Sequence, residues 1–390
     1  MSDRRPGQIP DEPSGAIGGQ SRTPSKSPIY RLRLGVENAP LGYEPEGAVG
    51  NTSGELNVSS GEEILAQGPY MGQEPVLRAK TIRDLQKLRK KGFEIDFDDT
   101  KHLGKGVYGT VYKGVYNDKI SELSDKEGRR MDKAKSGQTF AAKYVQFLPN
   151  ISPDMRLYHE IEKRIMKCLS HPNIVSIKIA INLGTRKVIR TPCGGQMVDI
   201  NTFDRMFLAM ECGICTLRDF GDDKRIDDRL AIEFAKQVAA GMNYMHEKGV
   251  IHGDAHKNNI MVFSGQSADQ FVAKWIDFGR SVSRVHFGRW GIKIGDKEWE
   301  KIRQMDVKKL VETLKYLADI GPQNSRIPNT FDVQEIESLA DELNTSTAPL
   351  VDVLQNYHFD LIPLPGGHPD VIDWDASDSD EEDSSDSDSD

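Results

Sequence analysis

Apolar residues change their spacing several times along this chain, and the changes mark out its elements. Over residues 1–75 no period of 2 or 3.6 persists and Gly, Pro, Ser, Glu and Asn dominate, so there is too little apolar surface to offset the entropy of ordering. That region is predicted to be disordered, apart from Ile29 to Leu34, whose apolar and basic residues alternate as in a short strand. Helical spacing begins at residue 76. Leu77, Ile82, Leu85 and Leu88 share a side, basic residues fill the last turn and Gly92 stands where a C-terminal cap belongs, predicting a basic amphipathic helix over 76–92.

Strand-like Phe97 and Val111 to Tyr116 flank a glycine-rich turn, and the polar stretch from Asn117 to Gln138 predicts a surface loop. Thr139 to Val145 is a strand with one Lys among apolar neighbours. Ser152 and Pro153 supply the cap and first position of a helix running to about Leu169, with Tyr158, Ile161, Glu162, Ile165 and Leu169 on one face. Residues 183–204 predict an extended loop or hairpin, Phe207 to Met210 a strand, and Asp227 to Glu247 a long helix with Leu230, Phe234, Val238, Met242 and Met245 inward. Val307 to Leu317, after Asp306, repeats the helical pattern.

Charge changes the picture only at the C-terminus. Of 60 acidic residues eleven lie in 370–390, leaving 49 against 51 basic ones, so the net charge of -9 belongs to the tail and the body is near neutral. That balance gives no reason to expect nucleic acid or an anionic membrane as partner. Cys168, Cys193, Cys212 and Cys215 are few for 390 residues and predict a reducing, intracellular setting. Cys212 and Cys215 form a C-x-x-C pair without the second pair a zinc site needs. No run of about 18 apolar residues and no signal-type apolar segment occurs, so a cytoplasmic or nuclear protein, neither secreted nor membrane-spanning, is expected. The cluster Lys87, Arg89, Lys90 and Lys91 reads as helix-end charge complementarity or as a nuclear import signal. Thr23-Pro24 and Ser27-Pro28 read as solvated linker or as proline-directed phosphorylation sites.

The chemistry gathers in five places. His252-Gly253-Asp254 is followed by Asn259, five positions after the Asp, inside a polar loop that two apolar runs hold from either side. Eighteen residues beyond Asn259, Asp277-Phe278-Gly279 ends another apolar run. Upstream, Gly104, Gly106 and Gly109 stand in G-x-G-x-x-G spacing between two strands, where missing β-carbons let a hairpin lie close over phosphates. Opening no helix, this turn is not of the Rossmann dinucleotide kind. Lys143 is rarely placed in an apolar strand without an anionic partner, and Glu162 on the inward helix face is the natural one, in contrast to an exposed carboxylate such as Glu160.

Taken in order, the glycine-rich loop, Lys143, Glu162, Ser170-His171-Pro172-Asn173-Ile174-Val175, Asp254 with Asn259, and Asp277-Phe278-Gly279 resemble the eukaryotic-type protein kinases, over roughly residues 93–320 and more loosely to 360. The resemblance implies an α+β bilobal fold, with a small antiparallel-sheet lobe over 93–210, a helical lobe with a truncated C-terminal part over 211–360, and an acidic disordered tail over 361–390. It implies ATP and Mg²⁺ as cofactors. Leu103, Gly104, Gly106, Gly109, Val111, Ala141 and Lys143 would line the nucleotide with the hinge residues Met210, Glu211 and Cys212. Asn259 and Asp277 would bind metal, Glu162 would position Lys143, and Asp254 would accept the proton or aim the acceptor hydroxyl.

Three departures bear on the acceptor and on control. Gly253 replaces the Arg that pairs with a phosphorylated activation loop in the family, so constitutive activity or control by a partner is expected. His256 replaces the usual Lys, which makes His-Gly-Asp-x-His-x-x-Asn similar to aminoglycoside and choline phosphotransferases. Gly279 to Asp306 holds no Ala-Pro-Glu. The glycine-rich loop and His171 to Val175 look instead like protein kinases, a mixture also seen in divergent kinases of large DNA viruses. A serine/threonine protein kinase is the favoured expectation, with a small-molecule phosphotransferase and a nucleotide-binding pseudokinase scaffold as alternatives. Arg280, Arg284, Arg289, Lys293 and Lys297 suggest acidic protein substrates or a solvated loop. Ser377, Ser379, Ser385 and Ser387 each precede an acidic residue by three, so the tail is expected to be a target of an acid-directed kinase, to fold back on the basic segment, or simply to solubilise.

Overall fold

The computed structural model describes residues 74–96, 102–106, 109–122, 135–147, 153–193, 196–267, 269–289, 293–325 and 333–357. Ile29 to Leu34, the two Ser/Thr-Pro sites, Phe97, Ser152 and the acidic tail lie outside them.

Two lobes form. The smaller is one antiparallel sheet of β1 (Phe93–Ile95), β2 (His102–Gly106), β3 (Gly109–Tyr116), β4 (Thr139–Gln146), β5 (Ile177–Cys193) and β6 (Gln196–Met210), in the order β1-β3-β4-β6-β5 with β2 also paired to β3. Alternation along these strands builds two different faces. Phe140, Ala142 and Tyr144 of β4 point one way, where they join Phe93, Tyr116 and Phe207 in an aromatic cluster. Its rings meet edge to face, Phe93 with Phe140 at 5.6 Å and with Phe207 at 5.1 Å, while Tyr116 stacks on Phe140 at 4.5 Å. Such pairs contribute about 0.5–1.5 kcal/mol each beyond the area they bury. Ala141, Lys143 and Val145 point the other way, toward α2 (Pro153–Cys168), and that face carries the site.

Helix α1 (Glu74–Lys90) covers the aromatic face, and its buried side corrects the apolar pattern. Leu88 is buried as expected, whereas Ile82 is 48% exposed and Asp84, one turn before Leu88, is 3% exposed. Asp84 pairs with Arg205 of β6 through both oxygens, the Nη2 to Oδ1 contact being 3.2 Å, and accepts the Tyr144 hydroxyl at 2.9 Å. A helix that presents a carboxylate to a buried Arg needs few apolar residues to dock. The polar loop after β3 is likewise not wholly surface, since Ile120 in a short 3-10 turn (Asp118–Glu122) is buried in the aromatic cluster. Residues 183–204 are a hairpin: β5 and β6 pair from Ile177↔Met210 to Cys193↔Gln196.

The larger lobe is built on α4 (Asp228–Glu247) and α6 (Asp296–Asn324), preceded by α3 (Leu217–Asp222) and followed by α7 (Gln334–Thr345) and α8 (Leu350–Leu354). Asp227 caps α4, its side chain accepting from the Leu230 N–H. The expected inward residues Leu230, Phe234, Val238, Met242 and Met245 are all buried. Helix α6 is far longer than Val307 to Leu317, because Trp299, Ile302, Arg303 and Asp306 extend the buried stripe a further two turns toward its start. The polar loop around Asp254 is held by two small sheets, β7 (Cys215–Thr216) with β9 (Ile260–Ser264) and β10 (Phe271–Trp275), and β8 (Val250–Ile251) with β11 (Val282–Ser283). A short α5 (Arg284–Arg289) follows β11. Among the described residues no helix is long and apolar enough to cross a membrane.

Candidate active site

The sheet register brings the upper wall of the site together. Val111 of β3 lies opposite Lys143 of β4, and Ala141 lies opposite Met210 of β6, so the four share one face. Gly106 and Gly109 pair across the β2–β3 turn, and a bulge between His102 and Gly104 bends the strand there. A β-carbon on Gly104 would meet no atom within 4 Å, so protein packing does not demand glycine at that position. Leu103 beside it is 51% exposed.

Lys143 is the pivot. Its Nζ donates to Glu162 Oε1 at 2.5 Å and lies 3.9 Å from Asp277 Oδ1. Burial alone would raise the Glu162 carboxyl, but the charge of Lys143 and the neighbouring His159 outweigh it and hold the group down to about 2. Glu162 is therefore ionised at neutral pH. Glu160, set against Glu162 as an exposed carboxylate, is in fact 5% exposed and bridges Lys163 at 2.9 Å and Arg164 at 2.8 Å on its own helix.

At the lobe junction the Glu211 carboxylate accepts the Ser176 N–H at 2.6 Å and Lys274 Nζ at 2.7 Å. The Glu211 side chain is thus tied to Ser176 and Lys274, while Met210 and Cys212 on either side of it are half-buried. Burial pushes the Cys212 thiol up, so it is not a ready thiolate.

Below, the polar loop is fixed from underneath. Asp306 of α6, only 1% exposed, accepts the backbone N–H groups of His252 at 2.6 Å and Gly253 at 2.9 Å, and lies 3.3 Å from His246 Nε2. The His252 ring sits 2.9 Å from the Ile276 carbonyl through Nε2 and packs on Phe278 at 5.2 Å, which ties the loop to the Asp277 segment. Ser281 adds a hydroxyl bond to the His252 carbonyl at 2.8 Å. Asn259 Nδ2 donates to the Asp254 carbonyl at 2.9 Å and approaches Asp254 Oδ2 at 3.4 Å, leaving Asn259 Oδ1 as an acceptor for a cation. His256 Nε2 is 3.8 Å from Asp254 Oδ1, and burial lowers its pKa against the pull of that carboxylate, so it is neutral near pH 7.

Asp277 sits in the left-handed backbone region at φ 60°, which aims a carboxylate that is 45% exposed into the space below Lys143. Among the described residues no three His, Cys, Asp or Glu side chains cluster as a self-sufficient metal cage. Two oxygen donors, Asp277 and Asn259, suit Mg²⁺, which is commonly bound by one or two protein groups with phosphates and water completing its shell. The donor chemistry fits the cofactors.

Of the predicted site residues, Lys143, Glu162 and Asp277 meet through their side chains, Asn259 bonds to Asp254, and Val111, Ala141 and Met210 share the sheet face of Lys143. Asp306, His159, Ser281 and Lys274 were not predicted as site residues. Each serves by contact with a partner far along the chain or one turn away, and no local motif announces that.

A family model described as the protein kinase domain matches residues 97–318, more than half of the chain. Among curated proteins, the chain is similar to the serine/threonine-protein kinase GRIK1 of Arabidopsis thaliana, 26% identical over 269 residues, 64% of this chain and 59% of that protein. It is also 25% identical over 169 residues to the putative serine/threonine-protein kinase L673 of Acanthamoeba polyphaga mimivirus, 43% of this chain and 24% of that one. The interferon-induced, double-stranded RNA-activated protein kinase of Mus musculus is 24% identical over 259 residues, 65% of this chain and 41% of that protein. The chain therefore spans less than two thirds of the length of these relatives. The family match and the lobe architecture agree, and the chain belongs to the protein kinase domain family.

Proposed function

We propose that this chain is a serine/threonine protein kinase that transfers the ATP γ-phosphoryl group to a protein hydroxyl. One observation carries the reading: Lys143 Nζ stands between Glu162 Oε1 at 2.5 Å and Asp277 Oδ1 at 3.9 Å, with Asp254 and Asn259 joined below. In that role Lys143 binds the inner phosphates and Glu162 keeps it from collapsing onto Asp277. Asp277 and Asn259 would hold Mg²⁺, whose charge would offset that of the transferring group. Asp254 orients the acceptor hydroxyl and takes its proton, with Asn259 fixing the carboxylate. Positioning and electrostatics do most of the work in such a transfer, and this cleft supplies both.

For the acceptor, Arg280 Nη1 lies 3.5 Å from Asp254 Oδ1 and supports a preference for acidic peptides. The serine-containing acidic tail is then a candidate substrate in cis as well as a candidate target of another acid-directed kinase. Phosphoamino-acid analysis of an acidic protein incubated with the chain and labelled ATP tests the reading. Phosphoserine or phosphothreonine is expected, with no label passing to aminoglycosides or choline supplied in parallel. Label confined to tyrosine or to the small molecules would overturn it.

A further inference from the structure

Every residue of α2 from Arg156 to Lys163 is 5% exposed or less. Consecutive helical residues point in all directions around the axis, so over these two turns α2 has no solvent-facing stripe, although Arg156, Glu160, Glu162 and Lys163 are charged. Lys143 of β4 meets it on one side. The β5–β6 hairpin supplies another. β4 pairs with β6 only as far as Gln146↔Arg205, yet β5 and β6 continue together to Cys193↔Gln196. In that overhang Val198, Ile200 and Thr202 are buried, with Thr191 opposite Val198, whereas Val188 and Met197 are 67% and 54% exposed. Both strands contact α2. We infer that the overhanging ribbon is a positioning brace, which holds α2, and with it Glu162, at Lys143 without help from a second protein.

Polar bonds fix both ends of the buried stretch. Lys163, next to Glu162 in the chain, donates to Asn182 Oδ1 of β5 at 3.2 Å and bridges Glu160 at 2.9 Å. Arg156, two turns earlier, donates through Nη1 to the Phe203 carbonyl of β6 at 3.3 Å and lies 3.6 Å from Asp204. The helix is thus tied once to each strand. A two-stranded ribbon is marginal on its own, and buried charges need partners, so ribbon and helix order one another. The arrangement also bears on control. A stretch without an exposed face gives a regulator nothing to grip, so Gly253 leads to constitutive activity and not to a partner acting through Arg156 to Lys163. The consequence for nucleotide rests on the reading of Lys143 as the phosphate anchor.

The bland alternative is that the ribbon only enlarges the core. Ile200→Ala empties part of its buried face and Ile200→Val restores most of it, while Asn182→Ala, at an exposed position, removes the acceptor of Lys163 with little risk to folding. Amide hydrogen exchange of the full chain, without nucleotide, reads α2 directly. In the wild type α2 is expected to exchange as slowly as α4. Exchange in α2 is expected to rise about tenfold in Ile200→Ala and about threefold in Asn182→Ala, with α4 unchanged and Ile200→Val close to wild type. The second measurement is binding of ATP against adenosine: Ile200→Ala is expected to weaken ATP about tenfold and leave adenosine unchanged, because only the phosphates meet Lys143. Rapid α2 exchange in the wild type, an α2 rate indifferent to Ile200→Ala and Asn182→Ala, equal acceleration of α2 and α4, or equal weakening of ATP and adenosine would overturn the brace. Wild type that binds the two ligands equally, while the ribbon still governs α2 exchange, would contradict the phosphate-anchor reading and leave the brace standing.

Discussion

A β-carbon on Gly253 would stand 2.3 Å from the carbonyl oxygen of Arg280, and Gly253 itself is left-handed at φ 79°. The position where the family commonly places an Arg is closed here by backbone. Two constraints coincide, since a side chain would be strained by about 1–2 kcal/mol in that conformation and would also push the Asp277 segment away.

Gly253→Arg is therefore expected to impair the protein, not to restore activation-loop control. Gly253→Ala is expected to suffice for most of the loss, lowering phosphotransfer about tenfold or more and the unfolding midpoint measurably. Parallel kinase assays and urea titrations of the two variants check this. Full activity in Gly253→Arg would mean the loop can be rebuilt around a side chain.

Asp84 and Arg205 form a second structural prediction. Their side chains are 4% and 11% exposed, and removing one partner leaves the other charged and buried. Asp84→Ala is expected to cost about 3–5 kcal/mol in chemical unfolding, as one-sided disruption of buried pairs does. Asp84→Leu combined with Arg205→Met is expected to cost clearly less than Asp84→Ala, because neither charge is left alone. Additive losses in the double variant would show that the ion pair does not secure α1.

Acid stability follows from two histidines, His286 buried and His171 partly so. Burial pushes His171 and His286 down to about 4, with Arg164 and Arg289 adding to the effect at His286. The unfolded chain takes up protons at these sites near the ordinary value of 6.5, the folded one only near 4. Their contribution is thus fully present above 6.5 and is lost as pH falls toward 4. Urea midpoints should decline through that window, before Glu162 titrates, and His286→Gln should flatten the slope. A flat profile between pH 6.5 and 4 would contradict these assignments.

The site was more legible in the sequence than its supports. A lysine in an apolar strand, a carboxylate on an inward helix face and an acid–amide loop between apolar runs each break the local pattern, so they show in a short window. Asp84, Glu160, His159 and Asp306 break it too, but they read as ordinary polar positions until their partners arrive. The partner of Asp84 is 121 residues away, and Asp306 is 54 residues beyond the His252 N–H it accepts. Ile82 was misplaced for the same reason: a helix docked through a carboxylate need not turn its apolar stripe fully inward. The β5–β6 hairpin was one of two readings, hairpin or extended loop, because its Gly and Pro signal a turn without fixing how far the strands on either side stay paired.

The proposed transfer depends most directly on Asp277 and Asp254. Purified wild type, Asp277→Ala and Asp254→Asn incubated with γ-labelled ATP, Mg²⁺ and an acidic protein give the decisive comparison. Label is expected with wild type alone, Asp277→Ala falling by about 10²-fold or more as a metal and phosphate contact is lost, and Asp254→Asn falling while ATP binding persists. ATP binding by all three with transfer by none, or transfer undiminished in Asp277→Ala, would contradict it.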